Sequence, residues 1–163
     1  MKRKVKIGII GMGTIGAVHA EAFSANSKDA EIAVFCDINS ERLNAMGEKY
    51  KVGKLCSDYR DVLKSDVDSV VISVGNALHK VTACAALKAG KNVLLEKPMA
   101  MNSKEAAEIV KVAAKSRGIL QIGMVQRQRD DVQLARKYVA DGILGDIYHM
   151  RAVLIRRRGI PGL

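Results

Sequence analysis

The amino-acid sequence predicts an α/β fold, a doubly wound parallel sheet with helices on both faces. Three observations point to it. Short apolar runs of strand length alternate with helical patterns from residue 5 to about residue 125. The stretches between runs are long enough for the crossover helices that parallel strands require. Ser69–Val74 is an almost unbroken β-branched run, as expected of a strand covered on both faces. Right-handed crossovers then wind the sheet in both directions.

Each element follows in order. Val5–Ile10 is the first strand and Thr14–Ser24 the first helix. Glu31–Cys36 is the second strand, and a helix starts behind Asn39 or Ser40, both good N-caps, and runs toward Tyr50. Lys54–Cys56 is a short third strand, with a helical turn at Tyr59–Lys64 behind it. Ser69–Val74 is the fourth strand. A helix from about Ala77 ends at Gly90, a C-terminal glycine. Asn92–Leu95 is the fifth strand. Asn102, with Glu105 three positions on, opens a helix in which Ala106, Ile109, Val110, Ala113 and Ala114 repeat at helical spacing as far as Gly118. Ile119–Val125 is the sixth strand.

The first strand runs directly into Gly11-Met12-Gly13-Thr14-Ile15-Gly16. In a strand–turn–helix setting this G-x-G-x-x-G has a physical meaning. Gly11 permits a sharp turn, Gly13 permits a pyrophosphate to touch the backbone, and Gly16 lets the helix lie close on the strand. The N–H groups of Thr14 and Ile15 open that helix, whose N-terminus offers unpaired donors and a partial positive charge. Asp37 ends the second strand, 21 residues beyond Gly16, where a carboxylate accepts from ribose hydroxyls. Together these residues predict a dinucleotide site. A tight βα turn without a ligand leaves Asp37 unexplained. The carboxylate favours NAD over NADP, because it would repel a 2′-phosphate, and Arg42 nearby is not enough to reverse that.

The 163 residues suffice for one domain with a full core, and 48% of them are apolar. No run approaches the roughly 18 apolar residues that span a bilayer. The basic start, Lys2-Arg3-Lys4, leads into a strand and a glycine loop rather than a signal peptide. A soluble, cytoplasmic protein is expected. Cys36, Cys56 and Cys84 show neither paired spacing nor zinc-ligand spacing, so free thiols are expected, with no disulfide and no metal. The net charge of +10 is concentrated at the ends, in Lys2-Arg3-Lys4-Lys6 and Arg156-Arg157-Arg158. With no Trp and two Phe, base-stacking platforms are absent, and nucleic acid is not the expected partner.

After the sixth strand the alternation changes character, which divides the chain into residues 1–126 and 127–163. Asp130–Ala140 predicts a helix, and residues 147–155 predict a long strand with apolar residues on both faces. Such a strand needs neighbours. The expectation is that 127–163 opens a second domain whose remainder lies elsewhere, and that 147–155 pairs with a second copy to give a homo-oligomer.

Glu96-Lys97-Pro98 follows the fifth strand at the carboxyl edge of the sheet, where a nicotinamide would lie if the pyrophosphate rests on residues 11–16. A partly desolvated lysine there can hold a substrate hydroxyl and shift its proton as hydride leaves the same carbon. The order of motifs resembles the glucose–fructose oxidoreductase / inositol dehydrogenase / rhizopine-catabolism (Gfo/Idh/MocA) family of NAD(P)-dependent oxidoreductases. The matching pieces are Ile7 to Gly16 with His19, Cys36-Asp37, Ile72 to His79, Leu94 to Pro98, Arg127, and Gly142 to Ile147. The resemblance implies that Gly11, Gly13, Gly16 and Asp37 bind the coenzyme, that Ser73, Asn76 and Glu96 lie along it, and that Lys97 is the catalytic-site lysine. It also implies a sugar, polyol or related secondary alcohol as substrate.

The departures are equally informative. Members of the family usually run to more than twice this length, and their second domain supplies further catalytic residues, often an Asp and a His. Gln128 and Asp130 stand where the family usually has an aromatic residue and a proline. His79, in the loop after the fourth strand, is a candidate to approach the nicotinamide in place of the missing base. His149 reads as structural, and His19 as a packing residue near the coenzyme edge. The Lys97–Pro98 bond is a candidate for the cis form. The sequence is also compatible with two other classes of function: a non-catalytic module that senses a nicotinamide dinucleotide or a sugar, and a basic protein whose termini bind polyanions.

Overall fold

The computed structural model describes residues 3–153 and 155. The chain divides into two compact units, residues 1–124 and 125–163. The first contains a six-stranded sheet made of β1 (Val5–Ile10), β2 (Ala30–Cys36), β3 (Lys54–Cys56), β4 (Ser69–Ile72), β5 (Asn92–Leu95) and β6 (Leu120–Ile122). All five pairings are parallel, and the spatial order is β3-β2-β1-β4-β5-β6. The chain winds outward from β1 to β3 and then returns to lay β4 against the other side of β1. That reversal leaves a crevice above the carboxyl ends of β1 and β4, where ligands bind in such sheets.

The helices are α1 (Thr14–Ala25), α2 (Ser40–Tyr50), α3 (Tyr59–Leu63), α4 (His79–Lys88) and α5 (Ser103–Ala113). Strand alternation sorts them onto two faces. Ile7, Ile9 and Val71 point to one face and pack with Ala20 of α1 and Leu43 of α2, joined by Phe35 of β2. Ile10, Val70 and Ile72 point to the other and pack with Val62 of α3, Ala83, Ala86 and Leu87 of α4, and Ile109 of α5. Asn39, Asp58 and Asn102 each accept a hydrogen bond from the amide two or three residues on, as N-cap side chains do.

Several boundaries differ from the sequence expectation, and β4 ends at Ile72 rather than at Val74. Residues 76–78 form a 3-10 turn ahead of α4, so that helix starts at His79. The sixth strand pairs over three residues only, Leu120–Ile122, against the four-residue β5. The helix expected to reach Gly118 ends at Ala113.

In the second unit, α6 (Asp130–Ala140) forms as expected and has no buried residue. The long strand expected over 147–155 is not found among the described residues there, which carry no strand assignment. A strand is defined by its ladder, and the apolar alternation there has no paired neighbour to hold it. Leu154 lies outside the described residues.

Candidate coenzyme site at the switch point of the sheet

The glycine loop is held from three sides. The Gly11 amide donates to Cys36 O at 2.7 Å. The Ser73 hydroxyl, just beyond β4, reaches Gly11 O at 2.8 Å and Ile10 O at 3.3 Å. The Met12 amide donates to Asp37 Oδ2 at 2.6 Å. Gly11 has φ +91, and a side chain there would place Cβ 2.6 Å from Ser73 O. Gly16 is constrained differently, since its Cβ would stand 1.9 Å from Gly11 O. Only a bare α-carbon lets α1 close down on the loop.

This leaves an unfilled donor set. Gly13 is the N-cap of α1 and supplies no side-chain cap, and the first turn holds no acid. Among the described residues, the amides of Thr14, Ile15 and Gly16 have no protein acceptor. A Cβ at Gly13 would meet nothing within 4 Å, so the backbone is open to a ligand at that point. These are the free N–H groups of a helix N-terminus facing a cavity, the arrangement that receives phosphate.

The cavity measures about 450 Å³ and is lined by Gly11, Gly13, Thr14, Ile15, Asp37 and Ser73, among others. Sequence reasoning missed Ile38, Ser57, Tyr59 and Thr82, which also line it. Asp37 is nearly buried, with Oδ1 accepting from the Asn39 amide at 2.8 Å. The half-exposed Arg42 guanidinium approaches Asp37 Oδ2 at 3.5 Å. Oδ1 keeps a lone pair beyond its amide donor, so the group is oriented rather than saturated. Cys36 lines the same cavity, but burial pushes its thiol far above the ordinary range, so it is not a nucleophile. Burial likewise raises the free thiols Cys56 and Cys84.

Asn76, Glu96 and Lys97 do not line this cavity. Asn76 is exposed at the start of the 3-10 turn. Lys97 is exposed, and its ammonium has no hydrogen bond or ion pair among the described residues. The Lys97–Pro98 peptide is cis. Glu96 is half-buried and pairs with His19, Nε2 to Oε1 being 2.9 Å.

His79 corrects the sequence expectation. It is 1% exposed, with Nδ1 2.6 Å from Pro98 O and Nε2 3.1 Å from Val74 O. Both ring nitrogens face backbone carbonyls, one of which accepts the N–H of the neutral ring, and the ring is buried. It bridges the segments at Val74 and Pro98.

A second hollow of about 560 Å³ lies beside the ends of α4 and α5, lined by Lys88, Lys111, Lys115 and Arg117. Its cations sit near helix C-termini, where positive side chains complement free carbonyls. It has neither the unfilled amides nor the carboxylate of the switch-point cavity. Among the described residues no group of three potential ligands could hold a metal ion, and no helix is long and apolar enough to cross a membrane.

The parallel sheet, the glycine loop at its switch point and the acid ending β2 define an NAD-binding Rossmann domain. The Gfo/Idh/MocA model, described as an oxidoreductase family with an NAD-binding Rossmann fold, matches residues 5–124. The chain belongs to that family. It is 34% identical to D-glucoside 3-dehydrogenase of Escherichia coli over 162 residues, 97% of this chain and 45% of that protein. It is 31% identical to inositol 2-dehydrogenase of Salmonella typhimurium, covering 86% of this chain and 43% of that enzyme. Among solved structures, scyllo-inositol dehydrogenase from Lactobacillus casei with bound NAD(H) and scyllo-inositol superposes with a TM-score of 0.84. The identity is 27%, over 88% of this chain and 43% of that one. WlbA dehydrogenase from Bordetella pertussis in complex with NADH and UDP-GlcNAcA gives a TM-score of 0.85 at 29% identity, over 90% and 45%. The chain thus spans less than half the length of the relatives it matches.

Proposed function

We propose that this chain is the coenzyme-binding part of an NAD-dependent oxidoreductase that acts on the CH–OH group of a sugar, polyol or related substrate. The observation that supports it most is the set of unpaired amides at residues 14–16, of which Thr14 and Ile15 line a cavity that the Asp37 carboxylate also lines. In this reading Gly11, Gly13, Thr14, Ile15 and Gly16 receive the pyrophosphate, Asp37 the adenosine ribose, and Ser73, Asn76 and Glu96 lie along the remainder. The fit rests on donor chemistry: backbone N–H groups for phosphate and an oriented carboxylate for a vicinal diol. NAD is favoured over NADP because a 2′-phosphate would be set against Asp37.

When bound, the coenzyme would supply the hydride acceptor or donor for the substrate carbon. Lys97 would hold the substrate oxygen, taking its proton as the free amine and returning it as the ammonium in the reverse direction, and no ion-pair partner among the described residues competes for it. His79 takes no proton in this scheme. Alone, the chain is expected to bind NAD(H) and turn over little, because one wall of the reacting centre belongs to the part of the relatives that it does not match.

Calorimetric titration tests the reading. NADH should bind about tenfold more tightly than NADPH, a difference of roughly 1.4 kcal/mol. Equal affinities would remove the preference for NAD, and no heat with either dinucleotide would remove the function. Lys97→Ala should leave binding intact and abolish any residual turnover.

A cytoplasmic setting goes with this use of the coenzyme. We further propose self-association through residues 147–155, supported by the exposed apolar side chains of Ile147, Met150 and Val153. Light scattering should report a dimer of the full chain, and a monomer at high concentration would rule it out.

A further inference from the structure

Glu96 is the meeting point of three elements that are remote in sequence. It follows β5 directly, and its amide bonds to Ile72 O at 3.0 Å, which continues the ladder to β4. Its carboxylate spans two donors. Oε1 lies 2.9 Å from Nε2 of His19, on the second turn of α1, and Oε2 accepts the Lys97 amide at 3.2 Å. Both side chains of the His–Glu pair are largely shielded, at 18% and 16% exposure.

The third element is the segment just after β6. A Cβ on Gly123 would stand 2.9 Å from Glu96 Oε1 and 3.2 Å from Cδ. Gly123 is itself fixed by its amide on Leu95 O at 2.7 Å. The carboxylate therefore occupies a notch that exists because residue 123 has no side chain. Such a fit restricts the rotamers of Glu96 and points the carboxylate at both donors.

We infer that His19 and Glu96 form a latch that sets the Lys97 backbone relative to α1, so that His19 is a positioning residue for the nicotinamide end of the site. The inference rests on the dinucleotide reading above. α1 supplies the phosphate-facing amides, and Gly16 docks it against Gly11. One turn later His19 ties the same helix to the lysine loop. His79 pins the far side of that loop through Pro98 O. Lys97 is therefore held between two fixed points while its own ammonium stays free of partners among the described residues. A hydrogen bond to a charged group, part-buried as here, is strong enough to affect placement.

The latch touches only one half of the coenzyme path, and that makes it testable in the 163-residue chain by equilibrium binding. NADH and ADP-ribose share the adenosine and pyrophosphate, but ADP-ribose lacks the nicotinamide. His19→Ala should weaken NADH about tenfold and change ADP-ribose by less than about twofold. His19→Gln, which keeps an N–H at a similar reach, should restore most of the loss. If His19→Ala does not fold, Gly123→Ala approaches the same carboxylate from β6 and must give the same selective loss. Equal weakening of both ligands, or no weakening of NADH, would overturn the latch. A wild-type chain that binds neither ligand would instead overturn the dinucleotide reading, and the latch with it.

Discussion

Residues 3–124 and residues 125–155 contain helices of equal length with opposite surroundings. α5 and α6 are eleven residues each. α5 starts behind Asn102, whose side chain accepts from the Glu105 amide at 2.9 Å, while Glu105 Oε2 reaches back to the Met101 amide at 3.3 Å. It buries Ile109 completely in the cluster shared with α4 and the sheet. α6 starts behind Arg129 with no side-chain cap, and its first turn carries Asp130 and Asp131, which suit the helix dipole. Yet Val132, Leu134, Tyr138 and Val139 remain between 40% and 50% exposed. Periodicity identifies which side chains want cover; it does not supply the cover. Packing of an apolar face, more than propensity, stabilises helices of this length.

The contrast can be broken hardest at the glycine loop, which locks the first region together. Gly11→Ala demands a left-handed backbone of a residue that avoids it, and it drives a methyl group into the Ser73 carbonyl. Strain and overpacking together are expected to cost about 2–6 kcal/mol. Denaturant unfolding should show that loss together with the disappearance of dinucleotide binding. A stable Gly11→Ala that still bound NADH would mean that the loop tolerates another path.

Within the comparison itself, Ile109→Ala is the sharper probe. It removes a side chain with 0% exposure from a closed cluster, and about 2–5 kcal/mol should be lost in chemical unfolding. A loss under about 1 kcal/mol would show that α5 is no better anchored than α6. The cap offers a finer reading of the same helix. Asn102→Ala removes one acceptor and should cost about 1 kcal/mol, with the exposed alternative for the Glu105 amide being water.

The parts of the molecule that sequence could reveal are those whose cause is local. The turn at Gly11, the docking of Gly16 and the placement of Asp37 each follow from spacing within one βαβ unit; Gly11 and Asp37 line one cavity, and Gly16 packs behind it against Gly11. The two-faced burial of β4 was legible in its β-branched run. What stayed hidden depends on pairs far apart in the chain. His19 and Glu96 are 77 residues apart, and nothing near either one announces the other. His79 looked free to face a ligand, because a loop position says nothing of two carbonyls, at Val74 and Pro98, that converge on its ring. Ser57 and Tyr59 enter the cavity wall because they follow β3, which lies outside β2. The strand expected over 147–155 failed for a related reason: alternation describes faces, while a strand also needs an edge to pair with.

The smallest expected effect bears on what the second region does alone. Leu134 lies on α6 at 50% exposure, and a surface substitution of this kind normally changes stability by no more than about 0.5 kcal/mol. Leu134→Ala should therefore leave the unfolding free energy of the chain almost unchanged at micromolar concentration, while Ile109→Ala does not. Concentration supplies the discriminating axis. If a second copy covers the apolar side of α6, the free energy of association adds to the apparent stability, and the cost of Leu134→Ala must grow as protein concentration rises. A cost that stays flat from micromolar to near-millimolar chain would confine any self-association to residues 147–155. One that rises would extend the contact to α6 and would account for the half-exposed state of four apolar side chains on that helix.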